Sequence, residues 1–135
     1  MKILYAIQGT GNGHISRARE IVPLLQNHGD LDILVSGTQA DVRLTQHLKY
    51  KLHGFSFIFG KNGGVNHFKT WKNMNLFRFK KDMDLLPLKD YNLIINDFEP
   101  VTAWACKTQK IESVSLSHQA AFKSKKVPRP NTIDW

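Results

Sequence analysis

Apolar residues in this chain come in short runs punctuated by glycine, asparagine and proline, and the run lengths predict strands alternating with helices. KILYAIQ at residues 2–8 is continuous rather than alternating, the pattern of a strand buried on both faces of a parallel sheet. HISRAREIVPLLQNHG at 14–29 places Ile15, Ala18, Val22 and Leu25 on one helical face, with Gly29 as the C-terminal cap. Pro23 removes a backbone donor there and predicts a kink or irregular last turns. LDILVSG at 31–37 is a second strand, and Thr38 with Asp41 forms a capping box for a short helix reaching about Leu48.

The alternation continues in the second half. A third strand falls within YKLHGFSFIF (50–59), GKNGGVN (60–66) is a loop, and HFKTWKNMNLFRFKKDMDLL (67–86) has helical character. YNLIIND (91–97) is the fourth strand, Pro100 suits the first turn of the helix PVTAWACKTQ, and ESVSLS (112–117) is the fifth strand. Trp104 and Cys106 read as core residues of that helix, while 120–135 lacks periodicity and reads as an irregular tail. This order predicts an α/β fold: a Rossmann-like parallel sheet with helices on both faces, connected by right-handed crossovers. Ligands of such sheets bind beyond the C-terminal strand ends, here 9–14, 36–38, the loop after 60, 97–100 and 117–119.

Composition narrows the class. A length of 135 residues with 41% hydrophobic content makes one domain. No apolar run approaches the roughly 18 residues of a membrane span, and the chain opens directly on a strand, so a cytoplasmic protein is expected. The single cysteine, Cys106, excludes an internal disulfide framework, and without an HExxH or Cys/His cluster no metal site is expected. The formal charge of +8 is uneven: residues 49–91 carry nine basic and three acidic groups, which points to an anionic partner for one face.

The loop GTGNGH (9–14) carries the candidate chemistry. The dinucleotide fingerprint G-x-G-x-x-G fails, because its third glycine falls on His14 counted from Gly9 and on Ser16 counted from Gly11. The second strand also ends in Ser36, Gly37 and Thr38 instead of the acid that holds a ribose. No lysine follows the glycines, so the triphosphate-binding loop fails too. What remains is a set of backbone N–H groups at a helix N-terminus, suited to an anion or oxyanion, with His14 beside them. The positive helix end disfavours a second positive charge on the ring, and a general base must be neutral. The glycines also fit a plain strand-to-helix turn capped by His14.

With a strand, G-T-G-N-G-H and a helix opening ISRA, residues 1–40 resemble the N-terminal acceptor domain of GT-B glycosyltransferases. The segment is similar to bacterial UDP-glycosyltransferases and to the lipid-linked N-acetylglucosaminyltransferases of cell-wall synthesis. LIINDFEPVTAWACK (93–107) and SVSLSHQ (113–119) extend the resemblance. It implies transfer of a sugar from a nucleotide-sugar donor to an acceptor hydroxyl, lipid-linked in some members, with the donor as substrate and no cofactor. His14 matches the histidine that deprotonates the acceptor, and Asp97 the aspartate that orients it, a pairing that fixes the tautomer and stabilises the imidazolium.

Around this pair, Gly11, Asn12, Gly13, Arg17, Glu99 and His118 are candidate substrate-binding residues. Arg17 is placed either to face a diphosphate or to be solvated or salt-bridged, Glu99 is the rival carboxylate, and His118, at the fifth strand's end, either reaches acceptor or donor phosphate or is a surface histidine. Asp97, so near Pro100, fits turn and cap chemistry equally well. GT-B enzymes place most of the donor site on a second Rossmann-like domain. The chain is therefore expected to be the acceptor-side piece of a longer two-domain protein, without turnover alone. Alternatives are a non-catalytic sugar- or nucleotide-binding module and a peripheral membrane module of the same fold. For the latter, Phe68, Trp71, Phe79, Met83 and Leu86 can line a stripe in 67–86, flanked by lysines, that suits either an anionic membrane or an ordinary amphipathic helix packed on the sheet with its lysines in solvent. No recognition motif accompanies these residues, and no nucleic acid partner is expected.

Overall fold

A computed structural model describes residues 1–37, 44, 46–54, 75–117 and 126. Strand β1 (Lys2–Gln8) is the sheet's centre, with β2 (Asp30–Ser36) and then β3 (Tyr50–Leu52) on one side. On the other side lie β4 (Leu93–Asp97) and β5 (Val114–Ser115), and every pairing is parallel. The order β3-β2-β1-β4-β5 reverses direction at β1, so the chain leaves opposite ways from adjacent strands β1 and β4 and opens a crevice at their C-terminal ends.

The continuous apolar run of β1 is explained by two cores. Leu4 and Ala6 pack with Leu34, Ile94, Val101, Ala105 and Cys106 on one face. Tyr5 and Ile7 pack with Ile15, Ala18, Val22, Ile33 and Val35 on the other. Helix α1 (Asn12–Gln26) covers the second face with its expected stripe, Leu25 joining at the margin. Its register passes through Pro23, which is exposed, so water can serve the carbonyl one turn back. Its C-cap is Asn27 rather than Gly29. Gly29 is glycine for another reason: a Cβ there would run into the Met1 carbonyl oxygen, which accepts from the Asp30 N–H at 2.9 Å.

The opposite face is covered by α2 (Leu76–Asp84), a 3-10 turn at Leu88–Asp90, and α3 (Pro100–Gln109). Of the two readings of the stripe, packing on the sheet holds for its described part: Leu86 is buried beyond the end of α2, and Phe79 and Met83 pack against the same cluster. Phe68 and Trp71, the capping box at Thr38 and Asp41, the loop 60–66 and most of the 120–135 tail lie outside the described residues. Cys106 is buried as expected, but Trp104 is not a core residue: it is half exposed, with the Lys107 ammonium 4.9 Å from its ring centroid. Positions 101, 102, 105 and 106 face the sheet, which turns 104 outward. No helix among the described residues is long and apolar enough to cross a membrane.

The three glycines of the loop divide by environment. Gly9 is buried against β2, donating its N–H to the Ser36 carbonyl at 2.6 Å, and a Cβ on it would sit 2.6 Å from Val35 Cγ1. Gly11 and Gly13 face open space, with nothing within 4 Å of a Cβ. Gly9→Ala should therefore destabilise the fold by about 1–3 kcal/mol through overpacking. Gly13→Ala should leave stability unchanged or raise it by up to about 1 kcal/mol. Urea denaturation of both variants checks the contrast, and equal losses would contradict it.

Candidate active site

Strand alternation decides where each residue of the segment Asn96–Asp97–Phe98–Glu99 goes. Asn96 points to the α3 face, where its side-chain amide donates to the Glu99 carbonyl at 2.6 Å and its Oδ1 accepts from the Glu99 N–H at 3.1 Å. Glu99 is the N-cap of α3, fully buried, its two carboxylate oxygens accepting from the Val101 and Thr102 N–H groups at 2.8 and 2.6 Å. That task occupies the rival carboxylate within the fold, and it frees Asp97 from the capping role that its place before Pro100 also allowed.

Asp97 points the other way, towards α1, and is fully buried. The Tyr5 phenol donates to its Oδ2 at 3.1 Å. Arg17 grips both oxygens, donating from Nε to Oδ2 at 2.9 Å and from Nη2 to Oδ1. His14 Nδ1 lies 2.7 Å from Oδ1. A carboxylate oxygen only accepts, but Nδ1 also lies 3.0 Å from Arg17 Nη2, which only donates. Because Arg17 is already committed to both oxygens of Asp97, the shorter contact to the carboxylate favours the proton on Nδ1, which in a neutral ring leaves Nε2 as the acceptor. The His14 side chain is 21% exposed, enough to be reached from the crevice.

The electrostatics follow from this arrangement. A buried lone carboxylate is very costly, and the forked guanidinium balances its charge. The bond to Asp97 raises the Arg17 guanidinium above its ordinary value. Burial first, and then the Asp97 charge, push the Tyr5 phenol well above its own, so it acts as a fixed donor. His14 and Arg17 share a carboxylate because they sit three residues apart on one face of the first turns of α1.

Of the residues read from the sequence, the structure brings together His14, Asp97 and Arg17. It sets Gly11, Asn12 and Gly13 at the N-terminus of α1, with Gly11 as an N-cap that makes no side-chain hydrogen bond. Arg17 reaches Asp97 rather than standing free for a diphosphate. His118 lies outside the described residues. Two participants went unread: Tyr5, whose hydroxyl in a buried aliphatic strand had to find a partner, and Phe98. No group of three potential metal ligands forms among the described residues.

Removing Asp97 strands Arg17 and Tyr5 around a void. Asp97→Ala should cost about 3–5 kcal/mol of folding stability, as expected for breaking a buried ion pair. Asp97→Asn keeps the shape and should lose less. Chemical denaturation of the two variants measures the difference, and a loss under about 1 kcal/mol for Asp97→Ala would contradict the buried pairing.

Comparison with known proteins agrees with this architecture. The family model for glycosyl transferase family 1 matches residues 1–134. No curated protein matches the chain. A parallel sheet with helices on both faces, together with a family match over almost the whole chain, places this protein in glycosyl transferase family 1.

Proposed function

We propose that the protein transfers a sugar from a nucleotide-sugar donor to an acceptor hydroxyl, with His14 as general base. The observation that carries this reading is the 2.7 Å contact between His14 Nδ1 and a fully buried Asp97 at the crevice of the sheet. The acceptor hydroxyl gives its proton to Nε2 as its oxygen attacks the anomeric carbon, and the nucleotide diphosphate leaves from the opposite side. Direct displacement of this kind inverts the anomeric centre. Asp97 holds the ring's tautomer and, with Arg17 already balancing it, stabilises the imidazolium only in part. Gly11, Asn12 and Gly13 present backbone N–H groups beside the reacting atoms. In a GT-B architecture the donor binds chiefly on a second domain, and on this reading residues 1–135 supply the acceptor side. No cofactor or metal takes part in this scheme, and the reaction runs on the cytoplasmic side.

His14→Ala in the complete gene product should lower kcat by roughly 100-fold or more, read as nucleotide diphosphate release across a panel of nucleotide-sugar donors. Turnover equal to wild type would remove His14 from the mechanism.

A specific surface supports a membrane-associated setting for the acceptor. On α2, Leu76 and Phe77 are exposed, Phe77 to 91%, beside Arg78, Lys80 and Lys81. Aromatic and aliphatic groups among cations suit an anionic bilayer surface. Co-sedimentation with vesicles containing anionic lipid should fall several-fold on combining Phe77→Ala with Lys80→Ala. Binding of the double variant at the wild-type level would contradict that setting.

A further inference from the structure

Phe98 follows Asp97 directly and has a backbone φ of 57°, the left-handed region that a bulky residue rarely adopts. Its neighbours hold it there: the Asn96 amide clamps the Glu99 backbone, and the Glu99 carboxylate caps α3. Strain of this kind persists where surrounding bonds over-determine it. Burial does not account for the ring, because Phe98 is 43% exposed. What the conformation achieves is a contact. The Phe98 ring lies parallel to the His14 imidazole, 5° between planes and 5.8 Å between centroids.

A hydrogen bond at Nδ1 fixes one point of the imidazole and leaves the ring free to rock about that bond. A parallel ring beside it fixes the plane. We propose that Phe98 is a positioning residue, held in a strained turn so that its ring sets the plane of His14 and thereby the direction of Nε2; the proposal rests on His14 being the base. Phe98 itself touches no reacting atom. Its αL backbone is the cost of placing the ring immediately beyond the carboxylate that holds the same histidine.

The test is 13C relaxation of the His14 Cδ2–H and Cε1–H vectors in the wild-type chain, Phe98→Ala, Phe98→Gly and Phe98→Tyr. The ring order parameter should stand near the rigid level of about 0.85 in wild type and Phe98→Tyr and drop below about 0.6 in Phe98→Ala and Phe98→Gly. An unchanged order parameter in the last two overturns the proposal. Thermal melting separates positioning from packing: glycine adopts φ 57° freely, so Phe98→Gly should melt at or above Phe98→Ala, and the reverse order would contradict the strain. Ring dynamics are read without turnover, so this result is independent of the His14→Ala assay. A mobile ring in Phe98→Ala with undiminished His14→Ala activity would sink the base assignment and leave Phe98 only as a restraint on the ring, whereas a rigid ring in Phe98→Ala with lost His14→Ala activity would sink the Phe98 role alone.

Discussion

A carboxylate with no exposure to water cannot stand alone, and most of the site's organisation follows from what Asp97 requires. Desolvating one ionised group costs several kcal/mol unless its charge is balanced and its lone pairs are filled. Asp97 meets this with donors from two elements, Tyr5 on β1 and His14 and Arg17 on α1. That set is available only if α1 begins immediately after β1, on the face to which β4 turns Asp97. The GTG turn provides this, with Gly9 buried and pressed against β2 closely enough to exclude any side chain. The catalytic reading is thus a consequence of folding: the ring nitrogen committed to Asp97 leaves the other one free.

Five consecutive residues, Asn96 to Pro100, show how alternation separates structure from chemistry. Asn96 and Glu99 close the turn and cap α3 on one face, while Asp97 serves the site on the other. Pro100 starts the helix at a position whose N–H has no intrahelical partner to lose. Phe98, between them, takes up the strain. Had Asp97 been the cap, its oxygens would have been spent on backbone N–H groups and His14 would have no fixed tautomer.

The sequence was most legible where the physics is local. Strand β1 followed from its unbroken apolar run, the face of α1 from periodicity and the start of α3 from Pro100, because neighbouring residues alone settle those features. It was least legible where partners are distant. Arg17 left a diphosphate contact and a salt bridge both open, because nothing nearby shows that its fork closes on a carboxylate 80 positions away. The stripe containing Phe79, Met83 and Leu86 showed an apolar face but not its partner, and the structure gives that face to the core while exposing Leu76 and Phe77. Trp104 went outward for a similar reason: a helix with apolar residues on several sides does not itself say which side meets the sheet. Left-handed Phe98 had no signal at all, since aromatic residues seldom adopt that conformation.

The central claim is that, when the His14 ring is neutral, Asp97 holds its proton on Nδ1, which leaves Nε2 for the proposed base role. Nitrogen-15 chemical shifts of the His14 ring, recorded at a pH where the imidazole is neutral, test it most directly. The account predicts a protonated Nδ1 and a bare Nε2 in the wild-type chain, with that preference lost in Asp97→Asn. A wild-type ring carrying its proton on Nε2 would contradict it.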